Sequence, residues 1–281
     1  MSYLRWALVS VVWGLPMAAF AADLPTTVER LERALGARIG VAIVNSHTGE
    51  QWMYRPHERF LMNSTVKVLV CAAVLARDDL SLSEPLQVRA RDVIGHAPVT
   101  RFRIGEAMTV SELCLAAVDQ SDNGATNRLF EALGGPAQVT NFLRSIGDTV
   151  TRSDRTEPAL NAFVSGDPRD TTSPAAMVMT LATLLDGDAL TMVDRMKLGN
   201  WMRPGAWTGA LIRPSVPDGW DVADKSGSGR QNRNLIAMLT PPGGAPVFVS
   251  LFISDTHASF DRRNDTMAEL GAAVIEYLTK R

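Results

Sequence analysis

Ser64 and Lys67 stand three positions apart at the head of an apolar run, a spacing that puts a hydroxyl and an amine on one face of a helix. A serine hydroxyl is a poor nucleophile until a base withdraws its proton, and a lysine kept neutral by burial or by neighbouring cations can be that base. At this spacing Lys67 is expected to hydrogen-bond Ser64. Ser121-Asp122-Asn123 adds a second hydroxyl and a side-chain amide just ahead of another helical stretch. Lys225-Ser226-Gly227-Ser228-Gly229 ends a predicted strand with a cation, hydroxyls and small residues that let a ligand come close to the backbone. Each cluster taken alone has an ordinary explanation: a solvated helix pair, a helix cap, a turn or bulge.

The elements that must position these groups are legible in the spacing of apolar residues. Thr26 or Thr27 can cap a first helix whose Val28, Leu31 and Leu35 share a face, with Gly36 ending it. Residues 39–44 and 51–54 read as an antiparallel hairpin around the turn 45–49. Helical spacing then dominates, over 65–75, 110–118, 123–133, 137–146 and 174–185. Strand patterns return at 222–225, 234–240 and 246–253, before a closing amphipathic helix at 265–278. Strands at both ends and helices between them predict an α/β fold. An antiparallel sheet lobe with flanking helices, 22–60 and 203–281, surrounds an inserted all-helical lobe, 61–202. A cleft between the lobes is the expected ligand site.

A chain of 281 residues, 46% of them apolar and 21% charged, buries a substantial core and has no disordered character. Its net charge of −2 and lack of a Lys/Arg tract argue against a nucleic-acid partner. Residues 1–21 run from Arg5 through an apolar stretch broken by Ser10, Gly14 and Pro16 to Ala18-Ala19-Phe20-Ala21-Ala22, the pattern of a secretory signal peptide cleaved near Ala21. No later stretch reaches the ~18 consecutive apolar residues of a spanning helix, so a soluble monomer, periplasmic or secreted, is expected after cleavage. In an oxidising compartment Cys71 and Cys114 read naturally as a disulfide, with two buried thiols as the alternative. His47, His57 and His257 match no metal spacing, and no cofactor is expected.

The order S-x-x-K, S-D-N, K-[ST]-G is the motif set of class A β-lactamases and penicillin-binding proteins. The chain resembles the class A serine β-lactamases over essentially its whole mature length, including 150–161, with Glu157 and Asn161, and 166–174. The resemblance implies hydrolysis of a small-molecule β-lactam through an acyl intermediate on Ser64. Lys67 or Glu157 would be the base, Ser121 the proton relay assisted by Lys225, and Glu157 with Asn161 the holders of the deacylating water. It implies substrate contacts from Asn123, Ser226, Gly227, Ser228 and Arg233, with Asn264 beside Arg233, an oxyanion hole at the backbone N–H groups of Ser64 and Ser228, and His96 at the rim. Arg155 with Asp170 would close an Ω-loop, and a Cys71–Cys114 bridge would tie two helical segments together. Penicillin-binding proteins lack the Glu157–Asn161 pair, which sets a cell-wall D,D-peptidase or a β-lactam sensor behind a hydrolase. Asn63 and Gly229 exclude the additional active-site disulfide of some carbapenem-hydrolysing members, and Arg230 adds a cation near the rim.

Overall fold

The computed structural model describes residues 23–280, so the predicted signal segment lies outside the described residues. Helix α1 (Leu24–Leu35) starts at least three residues earlier than the threonines suggest: Asp23 is the cap, accepting the Thr26 N–H at 3.1 Å. Strands β1 (Arg38–Asn45) and β2 (Gln51–Tyr54) form the hairpin, and the two-residue strand β3 (Phe60–Leu61) leads to α2 (Val66–Leu75). A short pair, β4 (Pro85–Gln87) and β5 (Ala107–Thr109), precedes α3 (Val110–Val118), α4 (Asn123–Leu133) and α5 (Pro136–Ser145). Strand β6 (Thr171–Thr172) is followed by α6 (Pro174–Leu185) and α7 (Met192–Met202). The chain ends in β7 (Asp221–Ser228), β8 (Arg233–Thr240), β9 (Val247–Ser254) and α8 (Phe260–Thr279).

The main sheet runs β2-β1-β9-β8-β7 with every neighbour antiparallel. Residues that are adjacent in space therefore come from opposite ends of the chain, and the helical segment α2 to α7 is inserted between them. Period-two alternation divides each strand between two cores. Ile39, Val41 and Ile43 of β1, and Leu235, Ala237 and Leu239 of β8, pack with the apolar stripes of α1 and α8. Ala42 and Val44, Ile236 and Met238, and Phe248 and Phe252 face the helical lobe instead.

The inserted lobe, expected to be all-helical, also holds the short strands β4, β5 and β6, and two helices besides α1 depart from the spacing-based expectation. Helix α8 begins at Phe260, five residues early, because Ser259 caps it by accepting the Arg262 N–H at 3.2 Å. Helix α7 gave no periodic signal, since Met192, Val193 and Met196 are exposed while Leu198, Trp201 and Met202 are buried.

Candidate active site

Residues Asn63–Thr65 form a 3-10 turn that runs directly into α2, with Asn63 at φ 50° and the Thr65 hydroxyl donating to Met62 O at 2.8 Å. Ser64 sits in this turn, and its first-turn N–H has no acceptor within its own helix. Lys67 is fully buried on α2. Its ammonium donates to Ser121 O and to Asn123 Oδ1, both at 2.7 Å, and lies 3.1 Å from Glu157 Oε1. The expected Lys67–Ser64 hydrogen bond is absent among the described residues, because these three acceptors already claim the ammonium. Burial lowers the Lys67 pKa from its ordinary value, with the Glu157 carboxylate opposing that shift.

Ser121 adopts φ 57° immediately before α4, and Asp122 is the cap of that helix. The buried Asp122 carboxylate accepts the Ala125 N–H at 2.8 Å, the Thr100 hydroxyl at 2.7 Å, and the Val99 and Thr100 N–H groups at 2.8 Å. One side chain thus starts α4 and anchors the loop that carries His96.

Strand β7 passes so close to the Ser64 turn that only glycine fits at 227: a Cβ there would stand 2.8 Å from Met62 O and 3.1 Å from Ser64 N. Beside it Lys225 is fully buried and donates to Ser226 O at 3.0 Å. Burial depresses its pKa to about 7, and the charges of Lys67 and Arg233 push the same way. Arg233, on β8, donates to Gly227 O at 3.1 Å and to Asn264 Oδ1 at 2.7 Å, and its guanidinium lies 5.6 Å from the Phe260 ring centroid. Its pKa is lowered to about 10 by burial and by Arg263. Among the described residues neither cation forms a salt bridge with a carboxylate.

The segment between α5 and α6 carries Glu157. Pairing of β3 with β6 closes its base, and Arg155 Nε donates to Asp170 Oδ2 at 2.5 Å while Asp170 Oδ1 accepts the Asp154 and Arg155 N–H groups at 2.8 and 3.0 Å. Glu157, buried and followed by a cis bond to Pro158, is held at its backbone by both ends of the Asn127 carboxamide, each at 2.9 Å. Its Oε2 accepts from Asn161 Nδ2 at 2.6 Å.

These parts enclose a cleft of about 400 Å³ lined by Ser64, Ser121, Asn123, Asn161, the Ser226–Ser228 strand and Arg233, with Asn264 at the expected place. Lys67, Glu157 and Lys225 do not line it and stand buried behind its wall. His96 is at the mouth, where Trp207 faces it with ring centroids 5.1 Å apart, and both ring N–H positions meet Gln120 O at 3.1 Å. Arg230 is exposed and outside the cleft. Cys71 and Cys114 form a disulfide between α2 and α3, with Cα atoms 5.7 Å apart. Trp207, Phe260, Asn127, Asn63 and Asn234 escaped sequence reasoning. An asparagine or a tryptophan carries no periodicity, and only Asn63, next to the candidate nucleophile, had a positional signal.

The Beta-lactamase enzyme family model matches residues 23–278. A β-lactamase of Rhodobacter capsulatus is 54% identical over 271 residues, which cover 93% of this chain and 92% of that protein. Among solved structures, the ancestral GNCA class A β-lactamase superposes with a TM-score of 0.87 at 46% identity, covering 91% of this chain and 100% of the other. A β-lactamase of Xanthomonas campestris pv. campestris gives 0.88 at 41% identity, over 91% and 97% of the two chains.

Proposed function

The chain belongs to the class A β-lactamases, and from that premise we propose that it hydrolyses β-lactam antibiotics through an ester on Ser64, freed by water that Glu157 activates. One observation carries the finer reading: a buried carboxylate is tied by Asn161 and Lys67 to the wall behind the serine. Lys67 and Asn161 offset the cost of burying it, and general base catalysis by a group so held is worth roughly 10²- to 10⁴-fold.

In the acylation step the Ser64 oxygen bonds to the lactam carbonyl carbon and the ring C–N bond breaks. The hydroxyl proton passes to Lys67, or to Glu157 through a water, and the ring nitrogen takes a proton relayed by Ser121, with Lys225 assisting. The Ser64 and Ser228 N–H groups stabilise the oxyanion, a contribution on the order of 3 kcal/mol per donor. Arg233 and Lys225, two buried cations without a carboxylate salt bridge, suit the substrate's carboxylate, and Asn123 suits its side-chain amide. In deacylation, water attacks the ester, Glu157 takes its proton, and the Ser64 oxygen leaves protonated.

Residues 1–21 and the disulfide support export to the periplasm or medium. The test is Glu157→Ala with a penicillin: mass spectrometry should find a covalent adduct accumulating on Ser64, and ordinary turnover without an adduct would refute the assignment.

A further inference from the structure

Three carboxamides run in line from behind the cleft to its wall, where Asn161 stands. Asn234, on β8, directs its Nδ2 at Leu61 O (2.8 Å), Met62 O (2.9 Å) and Asn63 Oδ1 (3.2 Å). Asn63 in turn donates from Nδ2 to Asn161 Oδ1 at 3.0 Å, and Asn161 donates from Nδ2 to Glu157 Oε2 at 2.6 Å. Asn63 and Asn234 are buried, at 0% and 1% exposure, so water does not compete for these groups. Asn63 takes φ 50°, a left-handed conformation that asparagine tolerates better than most residues.

The direction of this row is forced from both ends. Backbone carbonyls accept only, so the NH₂ of Asn234 must face Leu61 and Met62, and its two hydrogens are shared among these carbonyls and the more distant Asn63 Oδ1, which makes it the donor side toward Asn63. The Asn63 oxygen must meet that donor, which leaves its NH₂ for Asn161. The oxygen of Asn161 is thereby occupied, and its own NH₂ can only point at Glu157. Reversing the Asn63 amide would set oxygen against oxygen at Asn161 and NH₂ against NH₂ at Asn234, inside a buried site where unmet polar groups are destabilising.

We propose that Asn63 is a positioning residue for deacylation: through the row Asn234–Asn63–Asn161 it fixes which end of the Asn161 amide meets Glu157, and so holds the carboxylate in place for the water it activates. This rests on the reading of Glu157 as the deacylation base. With Lys67 taking the Ser64 proton, acylation uses Ser64, Lys67, Ser121 and the β7 strand and depends on the row far less. The space around Asn63 is closed on the other side as well, since a Cβ on Gly229 would stand 2.7 Å from its Nδ2, so the amide has one place to go.

The decisive variant is Asn63→Asp, which keeps size and tolerance of positive φ but replaces the donor by an acceptor. Asn63→Gly, which keeps the backbone conformation and removes the amide, is its companion. With a penicillin substrate, kcat should fall about 10- to 100-fold in both, the range expected when a catalytic group is misplaced by about 1 Å. Acylation, read as the rate of adduct formation in a stopped-flow or quench experiment, should change less than about threefold, and the Ser64 adduct should accumulate. The pH profile separates positioning from general damage. A protonated carboxyl at 63 regains a donor for Asn161, so the deficit of Asn63→Asp relative to the parent should shrink as pH falls, whereas that of Asn63→Gly should stay constant. Glu157→Gln is the control for the underlying reading. If it accumulates adduct while both Asn63 variants, folded by circular dichroism, deacylate at the parental rate, the positioning role is wrong and the base assignment survives. If Glu157→Gln itself turns over normally, the base assignment falls and the positioning role with it. Equal pH profiles for the two Asn63 variants would also overturn the proposal.

Discussion

Lys225 shows how one residue can tie binding, pH and stability together. Its ammonium is buried with two other cations nearby, and its pKa drops to about 7 from the ordinary 10.5. As pH rises through about 7 the side chain loses its charge, while Arg233 keeps its own up to about 10. The KM for a β-lactam carrying a carboxylate should therefore climb above about pH 7, and in Lys225→Arg, whose cation persists, that rise should flatten. The stability sign is opposite to that of a salt-bridged lysine. Because the folded pKa lies below the unfolded value, the unfolded chain binds more protons between about 7 and 10.5, so stability grows with pH across that window and the penalty is complete below it. Lys225→Met should accordingly unfold at higher denaturant than the parent at pH 6, with the gap closing above pH 10.5. At this scale the groups with distinctive chemistry were readable from residue type and spacing, as with Ser64, Lys67 and Lys225. Asn127, which holds the Glu157 backbone from α4, and Asn234, which reaches Leu61, Met62 and Asn63 from β8, were not, because each acts on an element far from its own along the chain.

The segment carrying Glu157 has little regular structure of its own and owes its shape to a few buried contacts. Asp170 supplies most of them, accepting from Arg155 and from two backbone N–H groups while 2% exposed. Asp170→Asn would leave Arg155 with only the more distant Asp167, 3.8 Å away, as a charged partner, and removal of one member of a buried pair costs up to about 3–5 kcal/mol. Hydrogen exchange should show the loss as faster exchange across 154–170, with α1 and α8 unchanged, and deacylation should slow more than acylation. Unaltered exchange in that segment would mean the pair is dispensable. Strand β7 gives a second test, since Gly227→Ala drives a methyl against Met62 O and Ser64 N. Overpacking of this kind costs about 1–3 kcal/mol, and acylation, not only deacylation, should drop because the strand and the serine turn must part. Helices with a one-sided apolar stripe were legible, α1 and α4 among them. Helix α7 was not, because its buried residues cluster at the C-terminal end and no stripe runs its length.

Across the whole molecule, the order of strand and helix signals along the chain was enough to imply a sheet closed by both termini, because antiparallel neighbours β1 and β9 need only alternate apolar residues to find one another. What that order could not give was the seam. Ser64 comes from a turn at the end of the helical insertion, Ser228 and Arg233 from the sheet, and Asn161 from the loop between α5 and α6, so the cleft exists only when both cores are formed. The disulfide lies on one side of that seam, joining α2 to α3 inside the helical core, and does not line the cleft. It closes a separation of 43 residues, which in the chain-entropy model stabilises the fold by about 4 kcal/mol through the unfolded state. The double variant Cys71→Ala, Cys114→Ala should thus lose a large part of its resistance to urea, while kcat on a penicillin at 25 °C stays within about twofold of the parent, since surface and core changes far from the reacting atoms leave transition-state contacts intact. A parental urea midpoint would show that native packing alone holds the helical core. A collapse of kcat in a protein that remains folded would show instead that the bridge sets the relative placement of Ser64, just before α2, and Ser121, just after α3.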